Sequence, residues 1–142
     1  MNPNDYMGRP LLDLVAHFKR SIPLVEYSKI DDDEFLKLPE QGVYFQAGSD
    51  SIVRAYRVYY QAVGEYFPAD TETRYSCFGI VTVDDAVRLF GQPVRVIPSV
   101  RIPTRPPTNP GYLFDAGDER TVSVYHEADV IICIHVKLAR QE

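Results

Sequence analysis

Residues 120–138 read RTVSVYHEADVIICIHVKL, and the spacing of apolar residues in this stretch decides the fold class. Val130, Ile132, Ile134, Val136 and Leu138 recur at every second position. That period puts all five on one face of a strand and turns the face toward a core. Val122 and Val124 repeat the pattern upstream, and Glu127-Ala128-Asp129 is short enough to join the two runs as an antiparallel hairpin sharing that face. A hairpin with one apolar face needs further strands and a covering layer to be stable.

Both are found upstream. GVYFQAGSDSIVRAYRVYY, residues 42–60, gives a short aromatic strand from Val43 to Phe45, a turn at Gly48-Ser49-Asp50, and a longer strand from Ile52 to Tyr60. Tyr56, Tyr59 and Tyr60 on that strand fit either a core or a strand edge that pairs with a second copy, so a homodimer stays open. The stretch CFGIVT, residues 77–82, is short and β-prone. Covering helices come from two places. Leu11, Leu14, Val15 and Phe18 recur at helical spacing after Pro10, with Lys19 and Arg20 in the last turn and Pro23 as a stop. Thr82 then caps TVDDAVRLFG, with Asp84 and Asp85 in the first turn, Val83, Ala86, Val87 and Phe90 apolar, and Gly91 as terminator.

Five prolines in PSVRIPTRPPTNPG, residues 98–111, forbid a central strand or a helix interior, so this segment is expected to run extended over the surface. The 31 residues that follow it are too few for a core of their own, which argues against a linker between domains. The expected architecture is one domain over residues 1–142 of the α+β class: an antiparallel sheet of about five strands with two short helices packed on one side. Residues 21–41, with little periodicity, read as an exposed connecting segment.

Composition narrows the function. With 45% apolar and 25% charged residues, 10 Tyr and 7 Phe, the 142-residue chain has the makeup of an ordinary globular protein. A formal charge of −5 disfavours a direct hold on nucleic acid, since affinity for phosphate backbones comes from Lys and Arg. No apolar run approaches the ~18 residues of a membrane span and the N-terminus lacks a signal pattern, so a cytosolic protein without membrane contact is expected.

Chemistry is sparse. Cys77 and Cys133 stand 56 positions apart, without the paired spacing of a zinc site or a disulfide framework. Pairing about a turn centred on Ala128 sets His126 opposite Val130 rather than His135, which separates the two imidazoles. Cys133 and His135 share a strand face, yet no second ligand pair completes a metal site. GSDS, residues 48–51, lacks the glycine pattern of a nucleophile elbow, and Asp84 with Asp85 serve a helix N-terminus. The sequence therefore nominates no catalytic residue, metal or cofactor.

One stretch remains: KIDDDEF, residues 29–35, sets four carboxylates side by side. Such runs are commonly solvated, and the alternative is a binding surface. Taken in order, GVYFQAGSDSIVRAYRVYY, YFP, VDDAVRLFGQPVR, a proline-rich gap ending in PGYLFD, and RTVSVYHEADVIICIHV resemble small cytosolic immunity proteins of bacterial toxin systems. The likeness is to those paired with nuclease bacteriocins of the S-type pyocin group, and it runs from Gly42 to Lys137. The resemblance implies a non-catalytic inhibitor, without cofactor, that binds and blocks a cognate toxin domain. A nuclease partner would present a basic groove, which the acidic run complements in charge. On that reading Asp31, Asp32, Asp33 and Glu34 supply the field, Tyr27 and Phe35 the aromatic anchors, and Asp115, Asp118 and Glu119 extend the acidic face. Two other classes stay in view: an interaction or regulatory module that offers RIPTRPPTNP as an extended ligand, and a small hydrolase.

Overall fold

The computed structural model describes residues 1–138. After a 3-10 turn at Pro3–Tyr6, the elements are helix α1 (Leu11–Lys19), strands β1 (Glu26–Ile30), β2 (Asp33–Leu38), β3 (Val43–Ala47) and β4 (Val53–Tyr59), and helices α2 (Thr71–Ser76) and α3 (Val83–Phe90). Strands β5 (Arg95–Ile97), β6 (Gly111–Gly117), β7 (Arg120–Glu127) and β8 (Val130–Leu138) complete the described chain. All eight strands form one antiparallel sheet in the order β1-β2-β3-β4-β8-β7-β6-β5. The α+β class stands, but the expected sheet of about five strands and pair of helices do not: there are eight strands and three helices among the described residues.

Most of the discrepancy lies in residues 21–41, which are a hairpin rather than a connecting segment. β1 and β2 pair from Glu26 opposite Lys37 to Ile30 opposite Asp33, around the two-residue turn Asp31-Asp32. Strand β2 does alternate: Leu36 and Leu38 are buried, while Phe35 and Lys37 lie on the opposite face. The third inward position is Glu34, a charged residue where the period calls for an apolar one, and this broke the pattern. β5 is three residues long and mostly exposed, so it carries no apolar period.

All three helices pack on one face. Phe18 of α1 stacks on Phe45 of β3 with ring centroids 5.8 Å apart, and Phe90 of α3 lies 5.7 Å from Phe114 of β6. Thr82 caps α3 reciprocally with Asp85, as a capping box requires. α2 was not foreseen: TETRYS has no amphipathic period, and the helix starts because the Asp70 carboxylate accepts the Thr73 amide at 2.7 Å. Cys77 follows at its C-cap, so CFGIVT is not a strand. Tyr56, on the interior strand β4, and Tyr60, just after its end, are core residues, which removes β4 as a pairing edge. The Tyr56 hydroxyl donates to Asn4 Oδ1 at 2.8 Å, and Tyr60 donates to the Ile80 carbonyl at 2.8 Å.

The C-terminal hairpin forms as its alternation demands, with one correction. Val122, Val124, Ile134 and Val136 are buried in the core, but Val130 is 54% exposed and Ile131 takes the inward place. An irregularity at Tyr125/His126 sets His126 opposite Ile131, so one extra residue sits on β8 and the inside–outside phase flips below Cys133. The proline-rich segment also departs from expectation. It is exposed but not extended, because Val100 and Thr108 exchange backbone and hydroxyl hydrogen bonds at 2.7–2.9 Å and close 98–108 into a loop.

Candidate partner-binding surface

The acidic run is the tip of the β1–β2 hairpin. Asp31 takes a left-handed conformation at φ 55°, which Asp tolerates in tight turns, and Asp31, Asp32 and Asp33 are all exposed. Glu34 is not part of that exposed set. It is 8% exposed, and its carboxylate accepts the Tyr27 hydroxyl at 3.0 Å and the Ser51 hydroxyl at 2.5 Å. Two neutral donors thus satisfy a carboxylate inside the sheet edge and tie β1, β2 and the β3–β4 turn together. Tyr27 is half-exposed but engaged by Glu34, and Phe35 points to the other face, where its ring meets Tyr44 edge-on at 6.0 Å. So of the six residues named in and beside the run, three aspartates are free to meet a partner on the hairpin tip and the rest hold the hairpin.

Asp118 and Glu119 form the two-residue β6–β7 turn, both at positive φ (50° and 61°), as a type I′ turn requires. Asp115 stands on β6 just before it, with its Oδ1 accepting the Gly117 amide at 2.9 Å. All three are exposed. Because β2 begins, β3 ends, β4 begins, β8 ends and β7 begins at one end of the sheet, the two acidic turns share that end. Their centres are five strand spacings apart, roughly 24 Å. The sequence brought the two clusters to one surface, not to one patch.

A second feature escaped the sequence reading. On the face away from the helices, Arg57 of β4 lies opposite Tyr44 of β3 and His135 of β8. Its guanidinium sits 5.7 Å from the Tyr44 ring and 5.2 Å from the Tyr125 ring, and its Nε donates to His135 Nδ1 at 3.4 Å. No Asp or Glu among the described residues forms an ion pair with it. Tyr66 closes one side by stacking on Tyr59 at 4.3 Å. It is placed there by Gly42, whose positive φ of 67° and missing side chain let the Phe67 carbonyl and Ala69 amide approach the start of β3. Burial, with Arg57 and Lys137 adding to it, lowers the His135 pKa to about 4, so the imidazole is neutral at pH 7 and its Nδ1 can accept. Burial pushes the Cys133 thiol up to about 11 against the opposing pull of Arg57, which leaves it protonated.

The histidines lie apart: His126 stacks on Tyr112 at 5.0 Å, while His135 pairs with Ser123 and Arg57. No described helix is long and apolar enough to cross a membrane. Arg57 was readable only as one basic residue in a tyrosine-rich strand; its partners come from three other strands, and no local spacing signals them. Comparison of the chain with protein-family models, with curated proteins and with solved structures gives no match.

Proposed function

We propose that the chain is a non-catalytic immunity protein, acting in the cytoplasm of a toxin-producing cell, that binds and blocks a cognate toxin domain with a basic surface, a nuclease of the bacteriocin kind. The observation that carries this reading is the exposure of Asp31, Asp32 and Asp33 on one turn, and of Asp115, Asp118 and Glu119 at another, on the same end of one rigid sheet. A spread of roughly 24 Å suits a standard interface of about 800 Å² per partner, and both turns are fixed by strand pairing, which limits the ordering cost of association. Carboxylates on tight turns, away from the Glu34 anchor, act chiefly on encounter. They raise the local concentration of a cationic partner and make the rate fall with salt.

The test is co-purification of the tagged chain from its own organism with neighbouring genes expressed, followed by an activity assay on whatever is captured. A captured toxin domain whose activity is abolished at one equivalent of this protein supports the reading. A partner with no toxic activity, or a toxin left active in the complex, contradicts it. Replacing Asp31, Asp32 and Asp33 together by Ser should slow association about tenfold at low salt with little change at high salt. Glu34 is left in place, because it belongs to the hairpin's own structure.

A further inference from the structure

The cavity beside Arg57 belongs to no part of the acidic surface. It encloses about 570 Å³ between the uncovered sheet face and the proline-rich loop, within the range of small-molecule sites. The floor is Arg57, Tyr59, Tyr125, Ile132 and Cys133, and the opposite wall is the loop, mostly apolar through Pro98, Val100 and Pro107, with Thr108 and Asn109 beside them. Arg57 is the single charged side chain of the described lining, which contains no Asp or Glu.

That arrangement leaves an electrostatic demand unmet. A guanidinium carries five N–H donors in a planar fork matched to a carboxylate. Here the Nε donates to His135, the Tyr44 and Tyr125 rings contribute quadrupole attraction, and the Tyr44 and Tyr59 hydroxyls offer neutral hydrogen bonds, none of which is a counter-charge. Buried charges in folded proteins are ordinarily paired. The neutral His135 cannot supply a negative charge, and the nearby Tyr59 hydroxyl, pushed up to about 12 by burial despite Arg57, stays neutral too. The missing component is an anion, and the apolar wall asks that it carry an apolar body.

We infer that this cavity binds a small organic carboxylate, its carboxylate on the Arg57 fork and its hydrocarbon or aromatic part against the proline-rich loop. The site is independent of the toxin-binding reading, lying on the sheet face rather than on its acidic end. Closure of the loop at Val100 and Thr108 holds the wall in place before the ligand arrives, so little ordering cost attaches to binding.

The experiment is calorimetric titration of the full chain near neutral pH with benzoate and hexanoate, each against its neutral counterpart, benzamide or hexanol, and against inorganic phosphate. Saturable one-to-one binding of a carboxylate, at least about tenfold tighter than both its neutral counterpart and phosphate, is the expected result. Arg57→Met and Arg57→Gln should each lose that preference while keeping the parent's circular dichroism. Val100→Asp offers a second arm that leaves Arg57 intact: Val100 is 50% exposed, so the variant folds, and its carboxylate in the cavity wall should weaken benzoate about tenfold. Equal binding of the acid and its neutral counterpart, phosphate binding as tight as benzoate, absence of binding up to about 10 mM, or undiminished benzoate binding by Val100→Asp would each overturn the assignment.

Discussion

Leu36, Val43, Phe45, Tyr56, Val58, Ile134 and Val136 face the helices, while their immediate neighbours Phe35, Tyr44, Arg57, Tyr59, Cys133 and His135 face away from them. The two sets alternate along the same strands and obey different physics. On the covered side the side chains are aliphatic or aromatic, and the polar groups there, such as the Tyr56 and Tyr60 hydroxyls, have protein acceptors. On the other side a basic residue, an imidazole and a thiol are gathered among four tyrosines, and the guanidinium has no ion-pair partner among the described residues. A sheet needs one apolar face for stability. Charged and titratable groups half-buried on the second face are not what stability selects, and the difference teaches where to look for binding.

Four predictions sharpen or break that contrast. The largest effect belongs to the covered face: Phe45→Ala should cost about 3–5 kcal/mol in denaturant unfolding, because the Tyr6, Phe18 and Tyr56 rings all pack on that side chain. Phe35→Ala, one strand away on the other face, should cost under half of that. Equal losses would erase the distinction. Glu34→Ala comes next, at about 1–3 kcal/mol, since it strips the acceptor from the Tyr27 and Ser51 hydroxyls at the sheet edge. Neutral behaviour there would return Glu34 to the exposed acidic set.

The third concerns pH. His135 has its folded pKa lowered from 6.5 to about 4, so between those values the unfolded chain binds the proton that the folded chain refuses. Its contribution is present above pH 6.5 and is lost as pH falls toward about 4, on the order of 1–3 kcal/mol. His135→Gln should flatten the stability profile across that window, and an unchanged slope would place the imidazole in solvent. The smallest effect is the most telling: Arg57→Met should be neutral or stabilising by up to about 1 kcal/mol, because an unpaired half-buried charge gives way to an apolar side chain of similar length. A loss above about 2 kcal/mol would make Arg57 a structural residue held by its tyrosines.

Much of the covered face was legible in the sequence, because burial on one side of a strand writes a period of two and burial on one side of a helix writes a period near 3.6. The β3–β4 and β7–β8 hairpins, α1 and α3 follow from Val43, Phe45, Val122, Val124, Leu11, Leu14 and Val83, all core residues. What stayed hidden lacked that period. Glu34 disguised β2, α2 is held by the Asp70 cap rather than by an apolar stripe, and the bulge below Cys133 shifted Val130 and Ile132 out of phase. The acidic turns could be named from the chain but not measured, since their separation depends on the order of five strands between β2 and β7 inclusive. The Arg57 cluster was invisible for a related reason: Tyr44, Arg57, Tyr125 and His135 are brought together by the sheet alone.

The most direct test of the division between a structural face and a binding face is a residue-resolved map of amide chemical shifts during a benzoate titration. The account predicts saturating changes confined to β4, β7, β8 and the loop 98–109, with amides of α1 and α3 unmoved. Changes centred on the helices, or scattered without saturation over the whole surface, would contradict it.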